Sequence, residues 1–178
     1  MLNNSYKEQS RGQFSYLRNQ PHIIINIEQQ SLQLLDAEQV LFSSRIASAK
    51  NGLGERFGSE CTPRGWHCIR AKIGHDCPEN TVFVSRRPTG EIFSEHLREQ
   101  YPKRDWILTR ILWLSGLQVG FNRLGETDTM RRYIYIHGCP DSDPMGIPSS
   151  HGCIKMRNAQ LLQLFSLVNA GTAVLIDA

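Results

Sequence analysis

The sequence has no long apolar segment and no dense run of charge of one sign. Its longest apolar run near the start, residues 23–25, is made of isoleucines and is far too short to span a bilayer. Residues 1–12 contain neither the apolar stretch of a secretory signal nor a cysteine that could carry a lipid. We therefore expect a cytoplasmic protein that has no membrane partner.

The charge of the chain is close to balanced. The 20 Lys and Arg residues exceed the 17 Asp and Glu residues by a net charge of +3, and the basic residues form no stripe. This charge is too small to indicate a nucleic acid as the partner. The cysteines lie at positions 61, 68, 77, 139 and 153. Because an odd number at this low density is not typical of a disulfide-rich secreted scaffold, we expect reduced thiols, in agreement with a cytoplasmic location.

Length and pattern indicate one domain with a short extension. Residues 1–20 are polar and have no hydrophobic periodicity, so we predict a flexible N-terminal arm there and one folded domain over residues 21–178. Residues 22–27 and 31–35 are rich in β-branched and other apolar side chains. They are joined by the polar residues 28–30, which predicts a β-hairpin.

Further short strands are expected along the chain. β-branched and aromatic content predicts them at residues 39–49, 66–73, 81–85, 106–114, 133–136 and 173–176. Residues 86–106 are mostly polar and contain proline and glycine, so we predict a long excursion or lid there, with a short helix around residues 94–100.

One late segment has helical periodicity. Asn158 is expected to cap a helix that runs to about residue 170, and Gly171 lies where a helix C-terminal glycine belongs. The apolar positions on one face of this helix are Leu161, Leu162, Phe165 and Val168. The patterns together predict a mainly β fold with one late helix.

Two His-Gly-Cys triplets, residues 137–139 and 151–153, flank a loop rich in glycine, proline, serine and aspartate. Since a loop bounded by strands can bring its ends together, His137 is expected to lie beside the second triplet. A cysteine thiolate attacks carbonyl carbon, and a neighbouring imidazole can accept its proton and later return it to a leaving amine. The pattern therefore predicts a cysteine acyl-transfer site, and spacing alone leaves Cys139 and Cys153 as possible nucleophiles.

Main-chain groups of the triplets have predicted roles as well. Gly152 would let the backbone approach a substrate closely. The amides of His151, Gly152 and Cys153 are candidates for binding a developing oxyanion. No Asp or Asn lies in the first triplet, so the Gly138 carbonyl is a candidate for fixing the tautomer of His137.

Two structural interpretations compete with catalysis. A buried free cysteine commonly serves as a small hydrophobic side chain, and this is the alternative for Cys153. Zinc binding is the other, although the spacing departs from the usual C-x₂₋₄-C pattern. The candidate zinc ligands are His137, Cys139, His151 and Cys153. A second possible metal cluster is less favoured, because its members are expected on adjacent strands whose side chains alternate between faces. These members are Cys61, His67, Cys68, His75 and Cys77.

The second triplet belongs to a longer motif. Residues 150–156 read Ser-His-Gly-Cys-Ile-Lys-Met and follow His137-Gly138 and a Gly- and Pro-rich loop. The downstream helix, the Gly-Thr pair at residues 171–172 and the terminal strand complete the pattern, together with Thr-Pro-Arg-Gly at residues 62–65. This pattern resembles the L,D-transpeptidase catalytic-domain family of the YkuD type. The resemblance runs from about residue 22 to the end of the chain.

The resemblance implies a β-sandwich-like catalytic domain over residues 21–178 with one or two short helices. It implies that Cys153, rather than Cys139, takes an acyl group from a peptidoglycan stem peptide at an L-to-D bond. His137 would be the base and the Gly138 carbonyl would orient it. No metal or organic cofactor is expected. The residues implied to shape the pocket and the oxyanion hole are Ser150, His151 and Gly152.

The sequence departs from the family pattern at two positions. The family commonly has Arg or Asn two residues after the nucleophile, whereas this chain has Lys155, which keeps a positive charge but loses the two-pronged guanidinium. Lys155 is expected to contact a substrate carboxylate. Cys139 is a second thiol that the family pattern does not include.

The resemblance leaves two fates for the acyl-enzyme. Members that look like this chain, short and without a signal or an added peptidoglycan-binding module, act as cytoplasmic L,D-carboxypeptidases. We therefore expect removal of the terminal D-Ala from murein tetrapeptides, or from nucleotide-linked tetrapeptides, during cell-wall recycling. An L,D-transpeptidase that cross-links stems or exchanges D-amino acids, and a non-catalytic muropeptide-binding module, are the alternatives. Covalent inhibition by carbapenems is expected of a competent nucleophile, and substrate carboxylates could meet Arg86, Arg87, Arg131 and Arg132.

Overall fold

The structure is a computed structural model that describes residues 13–178. Its strands are β1 (His22–Asn26), β2 (Ser31–Asp36), β3 (Gln39–Arg45), β4 (Gly65–Ile73), β5 (Thr81–Val84), β6 (Arg87–Ile92), β7 (Ile107–Gly116), β8 (Tyr135–Gly138), β9 (Ile154–Met156) and β10 (Ala173–Asp177). Its α-helices are α1 (Glu95–Gln100) and α2 (Asn158–Leu167), and 3₁₀ turns cover Ser15–Asn19 and Gly125–Thr127. The predicted mainly β fold with short helices is confirmed.

All these strands belong to one hydrogen-bonded sheet. The order along its main path is β3-β2-β1-β10-β4-β7-β5-β6, and β8 pairs with β7 and β9. β1 and β2 form the predicted antiparallel hairpin. β1 and β10 are parallel, as are β8 and β9. β7 is central, since it pairs with β4, β5 and β8.

The sheet curves around a core that α2 covers. After β3 the chain bridges to β9 through Ala47 and Lys155, so the two ends of the sheet meet in a sandwich-like arrangement. Isoleucine, leucine, valine and methionine side chains from most strands fill the interior together with the buried face of α2. Lys72 Nζ donates to the carbonyls of Phe165 and Val168, both at 2.6 Å. A cation is favoured there because the dipole of α2 is negative at its C-terminal end.

Residues 86–106, predicted as an excursion or lid, are packed against the sheet. Helix α1 forms where a short helix was predicted, and Ser94 Oγ accepts a backbone amide of its first turn at 3.2 Å. The pattern did not predict β6, which contains Pro88 and is mostly polar. β6 lies at the edge of the sheet, where proline is tolerated. Arg98 of α1 pairs with Asp143 at 3.0 Å and so links the helix to the loop before the second triplet.

The predicted N-terminal arm is described only in its last part. The 3₁₀ turn Ser15–Asn19 places Phe14 and Leu17 against an apolar cluster around Trp66. This part of the arm is therefore in contact with the sheet. The prediction of flexibility for residues 1–12 lies outside the described residues.

Helix α2 begins and ends differently from the sequence prediction. Asn158 is its first residue rather than its cap, and Arg157 at the cap position makes no side-chain capping hydrogen bond. The helix ends at Leu167, so Gly171 is not its C-terminal glycine. Gly171 has φ +93° and lies in the turn that leads to β10, where its amide bonds to the Ile69 carbonyl at 2.8 Å.

Candidate active site

The two triplets meet at the parallel pair β8 and β9. Ile136 lies opposite Ile154 and His137 lies opposite Lys155, so the second triplet ends beside the start of β8. His137 and Cys153 line one cavity of about 390 Å³. The topology thus brings the histidine of the first triplet and the cysteine of the second to one place.

The turn that carries Cys153 is held from several sides. Ser150 Oγ donates to the Cys153 carbonyl at 2.5 Å and accepts from the Gly152 amide at 3.2 Å. Thr62 Oγ1 donates to the Gly152 carbonyl at 3.0 Å. The Ser48 carbonyl accepts the Ser150 amide at 2.9 Å. These bonds fix the main chain that leads to the thiol, as a precise reactive geometry requires.

Gly152 is required by the backbone and by its neighbours. It has φ +129°, and a Cβ there would lie 3.0 Å from Ile134 Cδ1 and 3.4 Å from the Cys61 carbonyl oxygen. The structure thus shows a close approach of Gly152 to the protein itself, and its approach to a substrate stays a prediction. Because the Gly152 amide is already bonded within the turn, the amides of His151 and Cys153 are the remaining candidates for an oxyanion hole.

Cys153 is half-buried beside the start of β8. The Tyr135 amide donates to Sγ at 3.4 Å, and the thiol donates to the Tyr133 carbonyl at 3.5 Å. Burial raises the pKa of the Cys153 thiol to about 12, against the opposing effects of the Tyr135 amide and the positive charges of Lys155 and Arg132. The thiol is therefore protonated at neutral pH.

His137 is buried in the tautomer that a base needs. Its Nδ1 lies 2.8 Å from the Gly138 carbonyl oxygen. Since a carbonyl can only accept, Nδ1 carries the proton and Nε2 keeps a lone pair. Burial lowers the pKa of His137, while the Asp105 carboxylate and the Gly138 carbonyl act in the opposite direction. A Cβ on Gly138 would collide with Asn158 Oδ1 and the Leu108 carbonyl, so only glycine fits there.

The other members of the triplets have different surroundings. Cys139 is fully buried, and its thiol donates to the Met156 carbonyl at 3.4 Å. Burial raises the pKa of Cys139 to about 12, and the Asp143 carboxylate adds to the effect. His151 is exposed on the rim of the cavity, with Nδ1 4.0 Å from Asp105 Oδ2. Cys139 is thus packed as a small, buried hydrophobic side chain, which is the common role of a free cysteine.

Lys155, the predicted substrate contact, already has a partner within the protein. Its Nζ lies 3.1 Å from Asp143 Oδ2, and both side chains are largely buried. Arg98 binds the same carboxylate at 3.0 Å, so two cations share one anion. Lys155 also lines the cavity, and its contact with a substrate stays a prediction.

Arg132 and Asp105 bring opposite charges to the cavity. The guanidinium of Arg132 is held at 2.6–3.3 Å by acceptors that are all neutral, so its charge acts on the cavity. These acceptors are the carbonyls of Gly54, Glu55 and Cys61 and the Ser59 hydroxyl. Sequence reasoning missed Asp105, because its position at the end of a polar segment gives no signal of the cavity.

Asn158 lies behind the site and connects it to β7. Its Nδ2 donates to the Cys139 carbonyl at 3.1 Å and to Asn80 Oδ1 at 2.9 Å, and its Oδ1 accepts from Thr109 Oγ1 at 2.7 Å. Asn80 and Thr109 have positive φ values of +64° and +69°. Asn158 therefore ties the first triplet to two strained positions. In the sequence, a polar residue before an apolar helix also fits a helix cap, so the pattern could not reveal this buried role of Asn158.

The candidate metal sets are not assembled. Across residues 13–178, no three His, Cys, Asp or Glu side chains are gathered closely enough to hold a metal ion. In the first set, Cys139 is buried in the core while His151 is exposed on the rim. Over the same residues, no helix combines the length and apolarity needed to cross a membrane.

Comparison with known proteins identifies the family. The sequence profile of the YkuD family, the L,D-transpeptidase catalytic domain, matches residues 20–176. No curated protein sequence matches the chain. Among solved structures, a fragment of the L,D-transpeptidase from Xylanimonas cellulosilytica is similar with a TM-score of 0.57 and 18% identity. The match covers 89% of this chain and 60% of that chain.

Two further solved structures share the fold. The Enterococcus faecium L,D-transpeptidase C442S mutant is similar with a TM-score of 0.53 and 15% identity, over 89% of this chain and 50% of that chain. L,D-transpeptidase 3 from Mycobacterium tuberculosis, in complex with a faropenem-derived adduct, has a TM-score of 0.52 and 14% identity, over 89% and 61%. The chain thus spans about half to three fifths of the length of these proteins.

The family, the fold and the site agree with one another. The profile covers almost all of the residues that the structure describes, and the mainly β domain has the architecture of solved L,D-transpeptidase catalytic domains. Enzymes of this family use a cysteine nucleophile. This chain belongs to the YkuD family of L,D-transpeptidase catalytic domains.

Proposed function

We propose that the chain is an L,D-carboxypeptidase whose nucleophile is Cys153 and whose base is His137. The observation that carries the proposal is the cavity that Cys153 and His137 both line. The turn before Cys153 is held by hydrogen bonds, and His137 Nδ1 is bonded to the Gly138 carbonyl. This leaves the Nε2 lone pair to accept a proton. The substrate is a peptidoglycan tetrapeptide, cleaved before its terminal D-Ala.

Each proton of the proposed reaction has a place to go. Cys153 gives its proton to His137 Nε2 and attacks the carbonyl carbon before D-Ala. The imidazolium then protonates the leaving amine of D-Ala as the C–N bond breaks, which leaves a thioester on Cys153. Water attacks the thioester while His137 takes its proton, the C–S bond breaks, and the imidazolium returns the proton to sulfur. The products are the tripeptide acid and the free thiol of Cys153.

The titration behaviour favours proton transfer during attack over a preformed ion pair. Burial raises the pKa of Cys153 to about 12 and lowers the pKa of His137, so both groups are neutral before substrate binds. The thiol must also exchange its hydrogen bond with the Tyr133 carbonyl for one with His137. The positive charges of Lys155 and Arg132 stabilise the anion that develops on the substrate or on sulfur.

The charge of the cavity supports water as the acceptor. Arg132 and Lys155, whose charges act on the Cys153 thiol, line it against the single carboxylate of Asp105. An amine acceptor arrives mainly as an ammonium ion at neutral pH, and this excess of cations disfavours its entry. The carboxylate of a terminal D-Ala is favoured by the same charges. The charge of the cavity therefore favours hydrolysis over cross-linking.

The direct test is a product assay on the purified protein with a disaccharide tetrapeptide. Mass spectrometry should show loss of one D-Ala and no dimer. Dimers, or exchange of D-Ala for an added D-amino acid, as the main product would replace the carboxypeptidase with the transpeptidase alternative. Binding of the tetrapeptide without any turnover would identify a non-catalytic muropeptide-binding module.

The cytoplasmic role in recycling is part of the same proposal. Fractionation of cells that produce the protein, followed by detection with an antibody, tests it. Recovery outside the cytoplasmic fraction would contradict the role in recycling without affecting the assignment of the nucleophile.

A further inference from the structure

A second, larger cavity adjoins the one that contains Cys153. It has a volume of about 900 Å³ and shares Arg86 and Tyr133 with the smaller cavity. Trp113 and Phe57 contribute further aromatic surface to it. A substrate bound at the thiol can therefore extend past Arg86 without leaving the protein surface.

The backbone at Arg86 is in an unfavourable conformation for an arginine. β5 and β6 are joined by a two-residue turn in which Ser85 has φ +49° and Arg86 has φ +66°. The flanking residues, Val84 and Arg87, pair across the hairpin. Positive φ at both central positions is the pattern of a type I′ turn, which favours asparagine and glycine. The turn geometry accounts for the positive φ but does not require an arginine, so a role for this residue is sought in its side chain.

The side chain of Arg86 is held in place by aromatic residues. Its Nη1 donates to the Tyr135 hydroxyl at 3.0 Å. Its guanidinium carbon lies 4.4 Å from the ring centre of Trp113 and 4.9 Å from that of Tyr133. Cation–π contacts at these distances, together with the bond to Tyr135, hold the guanidinium in place. The Tyr135 hydroxyl is a neutral partner, so the positive charge of Arg86 is not cancelled by this bond.

The second cavity is predominantly cationic. Arg56, Arg86 and Arg131 line it against one carboxylate, that of Glu126. Arg56 Nη2 lies 3.6 Å from Glu126 Oε2, and the two side chains are 81% and 82% exposed. An exposed pair of this kind is worth little, so it leaves the cavity open to an anionic ligand.

We propose that the second cavity binds an oxyanion group of the substrate, a carboxylate or a phosphate remote from the scissile bond, with Arg86 as its specificity-determining contact. The identity of the substrate rests on the proposed function above. Free carboxylates of the stem peptide and the diphosphate of a nucleotide-linked peptide both supply such a group. A guanidinium held in place suits either, because it can present two parallel N–H donors.

Binding to the Cys153→Ala protein, which cannot turn over, tests the inference apart from catalysis. Three ligands are titrated by calorimetry: a tetrapeptide with free internal carboxylates, the same peptide with these converted to amides, and a nucleotide-diphosphate-linked tetrapeptide. Adding Arg86→Ala should weaken binding of the free-carboxylate peptide roughly tenfold to hundredfold, the range for a charge-assisted hydrogen bond, and leave the amidated peptide unaffected. An effect confined to the nucleotide-linked peptide would identify phosphate as the group.

Matched variants separate binding from folding. Arg87→Ala is the control, because Arg87 is exposed on the same turn and lines neither cavity. Arg86→Gly relieves the backbone at φ +66° and should weaken binding as much as Arg86→Ala. Arg86→Lys keeps the charge but not the two-pronged geometry, so its dissociation constant should lie between those of the Arg86 and Arg86→Ala proteins.

The outcomes distinguish this inference from the proposed function. Equal dissociation constants for the Arg86→Ala and Arg86 proteins with all three ligands, equal weakening with the amidated peptide, or no binding at all would overturn it. Arg86-dependent binding by a protein whose wild type releases no D-Ala would support it while rejecting the carboxypeptidase.

Discussion

In the first His-Gly-Cys triplet the histidine reaches the cavity and the cysteine is buried in the core. In the second triplet the cysteine reaches the cavity and the histidine is exposed on its rim. The first triplet thus supplies the histidine of the site, and the second triplet supplies its cysteine. The strands around a short motif, rather than the motif itself, decide which of its side chains faces the cavity.

The central glycines account for much of the difference. Gly138 ends β8, and the space for its Cβ is occupied by Asn158 and the Leu108 carbonyl, so the first triplet is pressed against the core. Gly152 has φ +129°, which turns the chain between His151 and Cys153. Gly138 is required by close packing, and Gly152 is required by its backbone conformation and by the neighbouring Ile134 side chain.

The largest expected effect on activity is the difference between two single substitutions, Cys153→Ala and Cys139→Ala. Cys153→Ala should reduce D-Ala release by roughly 10⁴-fold or more, since loss of a covalent nucleophile removes the acyl-enzyme route. Cys139→Ala should keep most of the activity and lower the free energy of unfolding by about 1 kcal/mol through a small core cavity. Rates are measured by mass spectrometry and stability by urea unfolding. Loss of activity in Cys139→Ala with an intact fold would reverse the assignment of the two triplets.

The two histidines should differ in the same manner. His137→Gln should reduce kcat by roughly 10²- to 10⁴-fold, the usual contribution of a general base. His151→Gln should change kcat by no more than a few-fold, because His151 is exposed on the rim. Steady-state kinetics on the tetrapeptide give both numbers. Equal losses in the two variants would mean that the second triplet supplies its own base.

Asn158 should have a smaller effect that is transmitted through the first triplet. Asn158→Ala removes the hydrogen bond to the Cys139 carbonyl, beside the Gly138 carbonyl that orients His137. We expect kcat to fall roughly tenfold with KM unchanged, and the free energy of unfolding to fall by about 1–3 kcal/mol because buried partners lose their bonds. Asn169→Ala, an exposed asparagine after the same helix, is the control. A change in KM alone would contradict an orienting role.

The smallest expected effect is the dependence of stability on pH. Burial lowers the pKa of His137 in the folded protein, so the unfolded chain binds its proton first and stability falls as the pH drops below about 6.5. His67, whose pKa burial lowers to about 4, acts in the same direction. His137→Gln should therefore flatten the loss of stability below about pH 6.5 only in part, because His67 still contributes. Urea unfolding at several pH values measures it, and an unchanged slope would show that His137 titrates alike in both states.

Much of the fold could be predicted from the sequence because local pattern determined it. The β-branched run of β1, the apolar β7 and the buried face of α2 carry strong periodic signals. β6 gave no such signal, because an edge strand buries little surface and tolerates Pro88. The start of α2 was misread because a cap and a buried hydrogen-bonding residue have the same signature at Asn158.

The site could be predicted only in part for a similar reason. His137 and Cys153 stand in a motif whose chemistry is visible in the residues. Asp105 and the strained turn at Arg86 reach the cavity through contacts between distant segments, and no spacing in the sequence encodes them. Asp143, the partner of Lys155, lies in the loop between the triplets, and the residue pattern alone could not predict this ion pair.

The central claim is that one site is assembled from the histidine of the first triplet and the cysteine of the second. Its most direct test is peptide mapping of the protein after brief reaction with a penem, the class of inhibitor found as an adduct in the Mycobacterium tuberculosis relative. We expect one adduct, on Cys153, formed in wild type and Cys139→Ala and formed far more slowly in His137→Gln. An adduct on Cys139, or labelling of Cys153 at the same rate without His137, would contradict the account.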